Sequence, residues 1–284
     1  MNTPNSDHTR PVIITGCSSG IGYQCARELS KRPGYRVFAT ARKPEDVDRL
    51  NAEGLESVRL DLADEKSVDD AFAEIMQRTG NRLYGLFNNG AYGQPGAVED
   101  LSRAVLREQF ETNVFGTHQL TTLAIRVMRE QGGSGRIVQD SSLLGFVSLA
   151  MRGAYNASKY ALEGLTDTLR LELADTDIKV SLIEPGPIES RFRHNAFLMY
   201  QKNIDPDTSV HRDKYLATEA RLTKEGPAVP FTLPPDAVYK KLLHALESKN
   251  SKPRYYVTFP TYLFGYLKRV LSTRKLDKVL GKIG

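Results

Sequence analysis

Tyr155 and Lys159 stand four positions apart in Tyr155-Asn156-Ala157-Ser158-Lys159, at the opening of a helical pattern. Helix side chains at i and i+4 share one face, so the phenol and the ammonium can point into one site. A free phenol titrates near pH ~10 and exchanges protons poorly at neutrality. A fixed cation close by stabilises the phenolate and eases the exchange. The pair can therefore give a proton to an oxygen that gains charge, or take one back. Ser142 stands thirteen residues earlier, just after the apolar run Arg136–Asp140, where its hydroxyl can hold the same oxygen. Alone, the tyrosine–lysine spacing is a weak signal, because it recurs by chance on many helices.

A second group raises its weight. Thr15-Gly16-Cys17-Ser18-Ser19-Gly20-Ile21-Gly22 joins the apolar run Pro11–Thr15 to a helical pattern over Ile21–Lys31. Gly16 permits a tight turn, Gly20 lets backbone approach a pyrophosphate, and Gly22 lets the helix pack close to the strand. The helix N-terminus then offers free N–H groups and a positive dipole end to phosphate oxygens. Thr15, Ser18, Ser19 and Ile21 share that turn. The bland alternative is a turn that binds nothing, and the flanking strand and helix argue against it.

The next apolar run, Tyr35–Ala41, ends in Arg42-Lys43 with no acid. An acid there would hold a ribose 2′-hydroxyl, whereas a guanidinium grips a 2′-phosphate through paired hydrogen bonds. The residues predict NADP(H) rather than NAD(H), with Arg42 as main contact, Lys43 beside it and Ser19 helping. The competing reading is a solvated cation pair.

These groups need a scaffold. Strands are predicted at Pro11–Thr15, Tyr35–Ala41, Leu55–Leu60, Leu83–Phe87, Arg136–Asp140 and Lys179–Ile183. Helices are predicted at Ile21–Lys31, Ser67–Arg78, Ala154–Ala174 and Pro235–Ser248, with Arg103–Glu130 helical but broken once. Regular alternation implies right-handed crossovers and a Rossmann-type, doubly wound parallel α/β sheet in a single domain. Ligands then bind at the carboxyl ends of the strands, after Thr15, Ala41, Phe87, Asp140 and Ile183. Residues 1–10 read as a disordered tail and 11–248 as the nucleotide-binding domain. Within it, 188–235 reads as a substrate lid, because no strand is predicted there. Residues 249–284 read as a basic, aromatic C-terminal extension.

The chain has 284 residues, 40% hydrophobic and 26% charged, which excludes a disordered chain and suits a sizeable core. Its net charge of +5 is uneven: from Lys249 onward nine Lys/Arg face one acid, Asp277, leaving −3 elsewhere. A nucleic-acid partner would need a basic face on the folded domain, and none is predicted. Cys17 and Cys25 read as reduced core residues, which suits a cytoplasmic location. No run of apolar residues is long enough to predict a membrane-crossing helix. Tyr255–Leu271 is rich in Tyr, Phe and Leu. Three fates stay open for it: packing on its own domain or another copy, lining a substrate entrance, or peripheral contact with a membrane.

On Thr15–Gly22, Tyr155–Lys159 and Ser142, the chain resembles the short-chain dehydrogenase/reductase family in its single-domain form. Asn113-Val114-Phe115-Gly116 is similar to the family's helix asparagine setting, and Pro185-Gly186 to its turn after the sixth strand. Ile188 and Ser190 follow where the family meets its cofactor, and Asp61 with Leu62 match its adenine-side acid. Asn88-Asn89-Gly90-Ala91 departs from the family's N-N-A-G by transposing the last pair. Asn89 is expected to serve still, in a loop of different geometry. The glycine stretch, Arg42 and Pro185-Gly186-Pro187-Ile188-Glu189-Ser190 resemble the 17β-hydroxysteroid and retinol dehydrogenase branch.

The resemblance runs from about Val12 to Ile188. It implies an oxidoreductase that interconverts a lipophilic aldehyde or ketone and an alcohol by hydride transfer. Tyr155 would be the acid/base, Ser142 would hold the reacting oxygen, and Lys159 would tune Tyr155 and hold the cofactor ribose. Asn113 would place a water that relays protons, or only kink its helix. Asp61 would meet adenine, or only cap a turn. Dimers or tetramers are implied. Two rivals remain: a nucleotide-sensing regulator without turnover, and a sugar-nucleotide epimerase or dehydratase.

Overall fold

The computed structural model describes residues 9–283. The first half is β1 (Arg10–Ile14), α1 (Gly20–Ser30), β2 (Tyr35–Ala41), α2 (Pro44–Ala52), β3 (Glu56–Arg59), α3 (Glu65–Thr79) and β4 (Gly85–Asn88). Then come α4 (Arg103–Phe110), α5 (Thr117–Glu130), β5 (Ser134–Asp140), α6 (Gly153–Glu172) and β6 (Asp177–Glu184). The chain closes with α7 (Phe192–Asn203), α8 (Arg212–Thr223), α9 (Asp236–Glu247), β7 (Arg254–Tyr256), α10 (Phe259–Val270) and α11 (Thr273–Leu280). All strand pairs are parallel, in the order β3-β2-β1-β4-β5-β6-β7. The winding reverses between β1 and β4, which opens a crevice at their carboxyl ends.

Successive strand residues face opposite sides of a sheet. In β1, Val12 and Ile14 join a core cluster with Cys25 and Leu29 of α1 and Leu242 and Leu246 of α9. Ile13 joins the opposite cluster, with Phe72 and Ile75 of α3 and Leu120 and Ala124 of α5. β2 repeats the split, with Val37 and Ala39 on the first side and Phe38 on the second. Both faces are covered, so these strands read as continuous apolar runs rather than alternating ones. Asp64 caps α3 by accepting from the N–H groups of Lys66 and Ser67, and Gly80 ends it at φ 64°.

The doubly wound sheet is as expected, and several details differ. Of the expected tail, residues 1–8 lie outside the described residues, and Arg10 is already in β1. The break in the long helix is a six-residue π-helical stretch, Glu111–Gly116. Segment 188–235 holds α7 and α8, whose Ala196, Tyr200, Tyr215 and Leu222 pack with Ala97 rather than on the sheet. Its far end returns to its start, where Ile188 bridges Leu233. The C-terminal segment adds β7 to the sheet edge, and Phe264 and Leu280 pack on Leu144 and Val147. Phe259, Tyr262, Leu263, Tyr266 and Val270 form an exposed row along α10.

The π-helical stretch crosses directly beside the loop after β3. A β-carbon on Gly116 would collide with the backbone carbonyl of Leu62. Gly164, exposed on α6, has nothing within 4 Å of that position. Gly116→Ala is expected to cost roughly 1–3 kcal/mol through backbone displacement. Gly164→Ala should instead gain up to about 1 kcal/mol of helix propensity. Opposite signs in the thermal midpoints check this; two shifts of one sign would refute it.

Candidate active site

The glycine loop is held by tight backbone contacts. Gly16 (φ +72°) faces Gly90, so a β-carbon there would lie 2.7 Å from the Gly90 Cα. One on Gly22 would lie 2.5 Å from the Asn89 side-chain nitrogen. Asn89 donates from Nδ2 to the carbonyls of Thr15 (2.8 Å) and Gly16 (3.2 Å). Thr15 Oγ1 accepts from the N–H groups of Asn89 (3.0 Å) and Gly90 (2.8 Å). The transposed Gly90 thus has a steric role. A side chain there would meet Leu62 at 2.8 Å and Thr15 Oγ1 at 3.2 Å.

Ser19 is the N-cap of α1, yet its side chain makes no capping hydrogen bond. The first N–H groups of α1 therefore have no side-chain cap, at a helix end that favours anions. Ser190 abuts this turn, since a β-carbon on Gly20 would lie 2.8 Å from Ser190 Cβ. A glycine- and serine-lined turn at an uncapped helix end fits a pyrophosphate.

Tyr155, in the first turn of α6, packs edge-to-face on Phe192 with ring centroids 5.2 Å apart. Ser142 follows β5 and its hydroxyl accepts from Leu144 N–H at 3.0 Å. Lys159 is buried and its Nζ donates to the Asp140 carbonyl at 2.6 Å, lying 5.8 Å from the Tyr155 ring centroid. Burial pushes the Tyr155 phenol above its ordinary pKa; a hydrogen bond with Ser142 opposes this and the Asp140 charge adds to it. Burial pushes Lys159 down, against the attraction of Asp140 and Glu163. The phenol is therefore held protonated at neutral pH.

The charges behind Lys159 form a chain. Asp140 is buried at the end of β5, and burial pushes its carboxyl up to about 7 despite Lys159. One turn on from Lys159, Glu163 is buried and bound by Arg254 of β7. Arg254 also donates to Glu184 and Asp167.

One cleft of about 1140 Å³ brings together Gly16, Ser18, Ser19, Gly20, Ile21, Asn89, Ser142, Tyr155, Lys159, Pro185, Gly186, Ile188 and Ser190. Thr15, Gly22, Arg42, Lys43, Asp61, Leu62 and Asn113 are not in its lining. Thr15 and Gly22 shape the loop from behind, as above. Asn113 spends its amide on structure: Nδ2 donates to the Tyr92 carbonyl (2.9 Å) and Ser158 Oγ (3.1 Å), and Oδ1 accepts from Tyr92 N–H (3.1 Å). Asp61 accepts from Ala63 N–H at 3.0 Å, closing a turn before α3. Arg42 is exposed, and among the described residues its side chain has no hydrogen bond or ion pair. Lys43 lies 3.6 Å from Glu45 in an exposed pair.

Sequence reasoning missed several residues. Arg49 of α2 donates to the Ser18 carbonyl at 2.7 Å, bracing the glycine loop. Its place on an unrecognised helix hid it. Arg152, Phe192 and Arg221 line the cleft. Phe259, Leu263, Leu280 and Ile283 line it too, so the C-terminal segment both packs on the domain and walls the cleft.

Comparison with known proteins follows this geometry. The short chain dehydrogenase family model matches residues 10–201. The chain is 46% identical to the uncharacterized oxidoreductase YbbO of Escherichia coli K12, over 95% of this chain and 94% of that one. It is 32% identical to the NADPH-dependent 3-dehydrocapnine reductase of Ornithobacterium rhinotracheale, over 96% of each. A crystal structure of a short-chain dehydrogenase from Streptomyces avermitilis superposes with TM-score 0.76 at 28% identity, covering 98% of each chain.

Asp140 yields a signed test. Burial holds its folded-state pKa at about 7, above the ordinary 3.8 of the group. The folded state then binds more protons between those values, so stability falls as pH rises through that window. Asp140→Asn removes the ionisation. The thermal midpoint of the variant minus that of the native chain should grow from pH 4 to pH 7 and then level off. A difference independent of pH would show that Asp140 does not titrate there.

Proposed function

The chain belongs to the short-chain dehydrogenase family, and from that premise we propose that it is an NADP(H)-dependent reductase of lipophilic carbonyls. The coarser activity is that of the family: an oxidoreductase that interconverts CH–OH and carbonyl groups with a nicotinamide cofactor. The observation that carries the finer reading is the convergence of Ser142, Tyr155 and Lys159 on the glycine-loop cleft.

When bound, the nicotinamide nucleotide supplies or takes the hydride. The glycine loop, Ser190 and the first turn of α1 would hold its phosphates. Lys159, Asn89 and the Pro185-Gly186 turn would hold the nicotinamide half. Ser142 orients the carbonyl oxygen and donates to it as negative charge develops. Tyr155 gives that oxygen a proton: raised by burial, the phenol is in its protonated form at neutral pH, the form that reduction requires. Asn113 acts in this reading as a positioning residue, fixing Ser158 one residue before Lys159. Exposed and unpaired, Arg42 is free to take a 2′-phosphate, with Lys43 and Ser19 beside it; Asp61 and Leu62 stand on the adenine side. The many apolar side chains of the cleft favour a lipophilic substrate. Oligomerisation and lipid contact through 255–284 belong to the same reading, since the exposed α10 row offers a surface for either.

Three measurements test this. Tyr155→Phe should lose about 10²–10⁴-fold in turnover and keep NADPH binding. Unchanged turnover would refute the acid/base role, and absence of turnover in the native chain on a broad carbonyl and alcohol panel would favour the regulator. Alcohol oxidation by the native enzyme, which needs the Tyr155 phenolate, should rise only toward alkaline pH, where carbonyl reduction, which needs the phenol, should fall. Arg42→Ala should raise KM for NADPH about tenfold or more with little change for NADH, because one charge-assisted contact is lost. Equal changes for both cofactors would overturn the NADP(H) preference.

A further inference from the structure

Two arginines in the cleft have no acid to answer them. Arg152 is the residue before α6, three positions before Tyr155, and its backbone bridges Gly96. Arg221 lies in the last turn of α8, beside the buried Leu222. Both are half-buried and both line the cleft that holds Tyr155. Among the described residues neither guanidinium takes part in a hydrogen bond or an ion pair. Burial works against both charges; repulsion from Arg221 adds to it at Arg152, lowering that group to about 10, and repulsion from Arg193 adds to it at Arg221, which falls below its ordinary value. The third nearby arginine, Arg193, is committed elsewhere: it donates to the carbonyls of Arg221 (3.1 Å), Lys224 (2.8 Å) and Gly226.

Burying like charges without partners costs stability, so a fold keeps them where something else supplies the counter-charge. The acids of the lining do not supply it. Asp140 faces Lys159, and Glu189 is exposed and pairs with neither arginine. The two arginines also stand on elements other than those of the cofactor cradle: Arg152 precedes α6 and Arg221 lies on α8, whereas the glycine loop joins β1 to α1. Leu222 belongs to a cluster with Ala97, Tyr200 and Tyr215, whereas Cys17 of the glycine loop belongs to the core under β1. The same cleft is also lined by the apolar side chains of Leu149, Leu222, Val229, Phe231, Leu263 and Leu280.

We propose that Arg152 and Arg221 seat an anionic oxygen group, and that the carbonyl compound reduced at Tyr155 is therefore an anionic amphiphile. A carboxylate, phosphate or sulfonate presents the geometry a guanidinium fork recognises, and the apolar walls take the chain. The inference deepens the reductase reading and rests on it for the reacting carbon, not for the anion site.

The test compares an ω-oxo fatty acid, its methyl ester and the matching ω-oxoalkyl phosphate as substrates of the full-length enzyme with NADPH. The native enzyme should favour an anionic form over the ester by about tenfold or more in kcat/KM, the scale of a charge-assisted contact. The acid and phosphate arms distinguish which oxyanion fits. Arg152→Met and Arg221→Met should each bring the anion-to-ester ratio close to one, and Arg152→Lys should restore part of it. Separately, calorimetry with NADP+ present should show decanoate or decyl phosphate binding tighter than decanol, and lose the difference in Arg221→Met. An ester used as well as the acid, or equal loss on both substrates in the methionine variants, overturns the anion site. If no carbonyl of any charge is reduced, the reductase reading fails; calorimetry then decides the anion site alone.

Discussion

The ammonium of Lys159 has almost no access to water, and much of the surrounding structure follows from that. A buried cation keeps its charge only with nearby dipoles or anions. Its Nζ donates to the Asp140 carbonyl, which ties the end of β5 to the second turn of α6. Asp140 and Glu163 supply the negative field. Those carboxylates are themselves buried, and Glu163 shares Arg254 with Glu184 at the end of β6. A single strand, β7, thus completes an ionic chain that begins at the proposed catalytic lysine. The C-terminal segment is part of the site's electrostatics as well as its wall.

This explains how the tyrosine and lysine can be near neighbours without the phenol ionising. In the structure burial and the Asp140 charge outweigh the hydrogen bond with Ser142, so Tyr155 keeps its proton. In the proposed reduction a phenol in that state would give its proton to a developing alkoxide, and Ser142 would hold the place where the charge grows. The glycine cradle lies on the other side of the same loop cluster. Asn89 and Thr15 link it to β4, and Arg49 braces it from α2. Rigidity there comes from backbone contacts, which a loop of larger residues could not make.

The sequence revealed what is local or periodic. β1 and β2 bury both faces, so their runs stand out, and Tyr155 with Lys159 needs only one helical turn to converge. α2 was not legible, because among its residues only Leu50 is fully buried and the rest carry little apolar pattern. α7 and α8 were not legible either, because they pack on one another and on Ala97 instead of presenting a stripe to the sheet. Contacts between distant positions were the most hidden. Nothing near Arg254 announces Glu163 or Glu184, and nothing near Arg152 announces Arg221. Asn113 was found by motif, yet its amide ties Tyr92 to Ser158, a role spacing does not express.

The two families of charge in the cleft differ in one respect that bears on function. The buried carboxylates behind Lys159 outnumber the cations Lys159 and Arg254, but burial pushes Asp140, Glu163 and Glu184 toward their neutral forms, so that region carries little net charge without a ligand. Arg152 and Arg221 line the cavity, and among the described residues no carboxylate pairs with either. A self-neutral proton-transfer centre tolerates many carbonyl groups. An open positive end selects among them, because a neutral ligand would leave two guanidinia desolvated and unpaired. In the proposed reading chemistry and selection are thus carried by separate charge groups, both in a cleft with apolar walls from α8, α10 and the segment before α9.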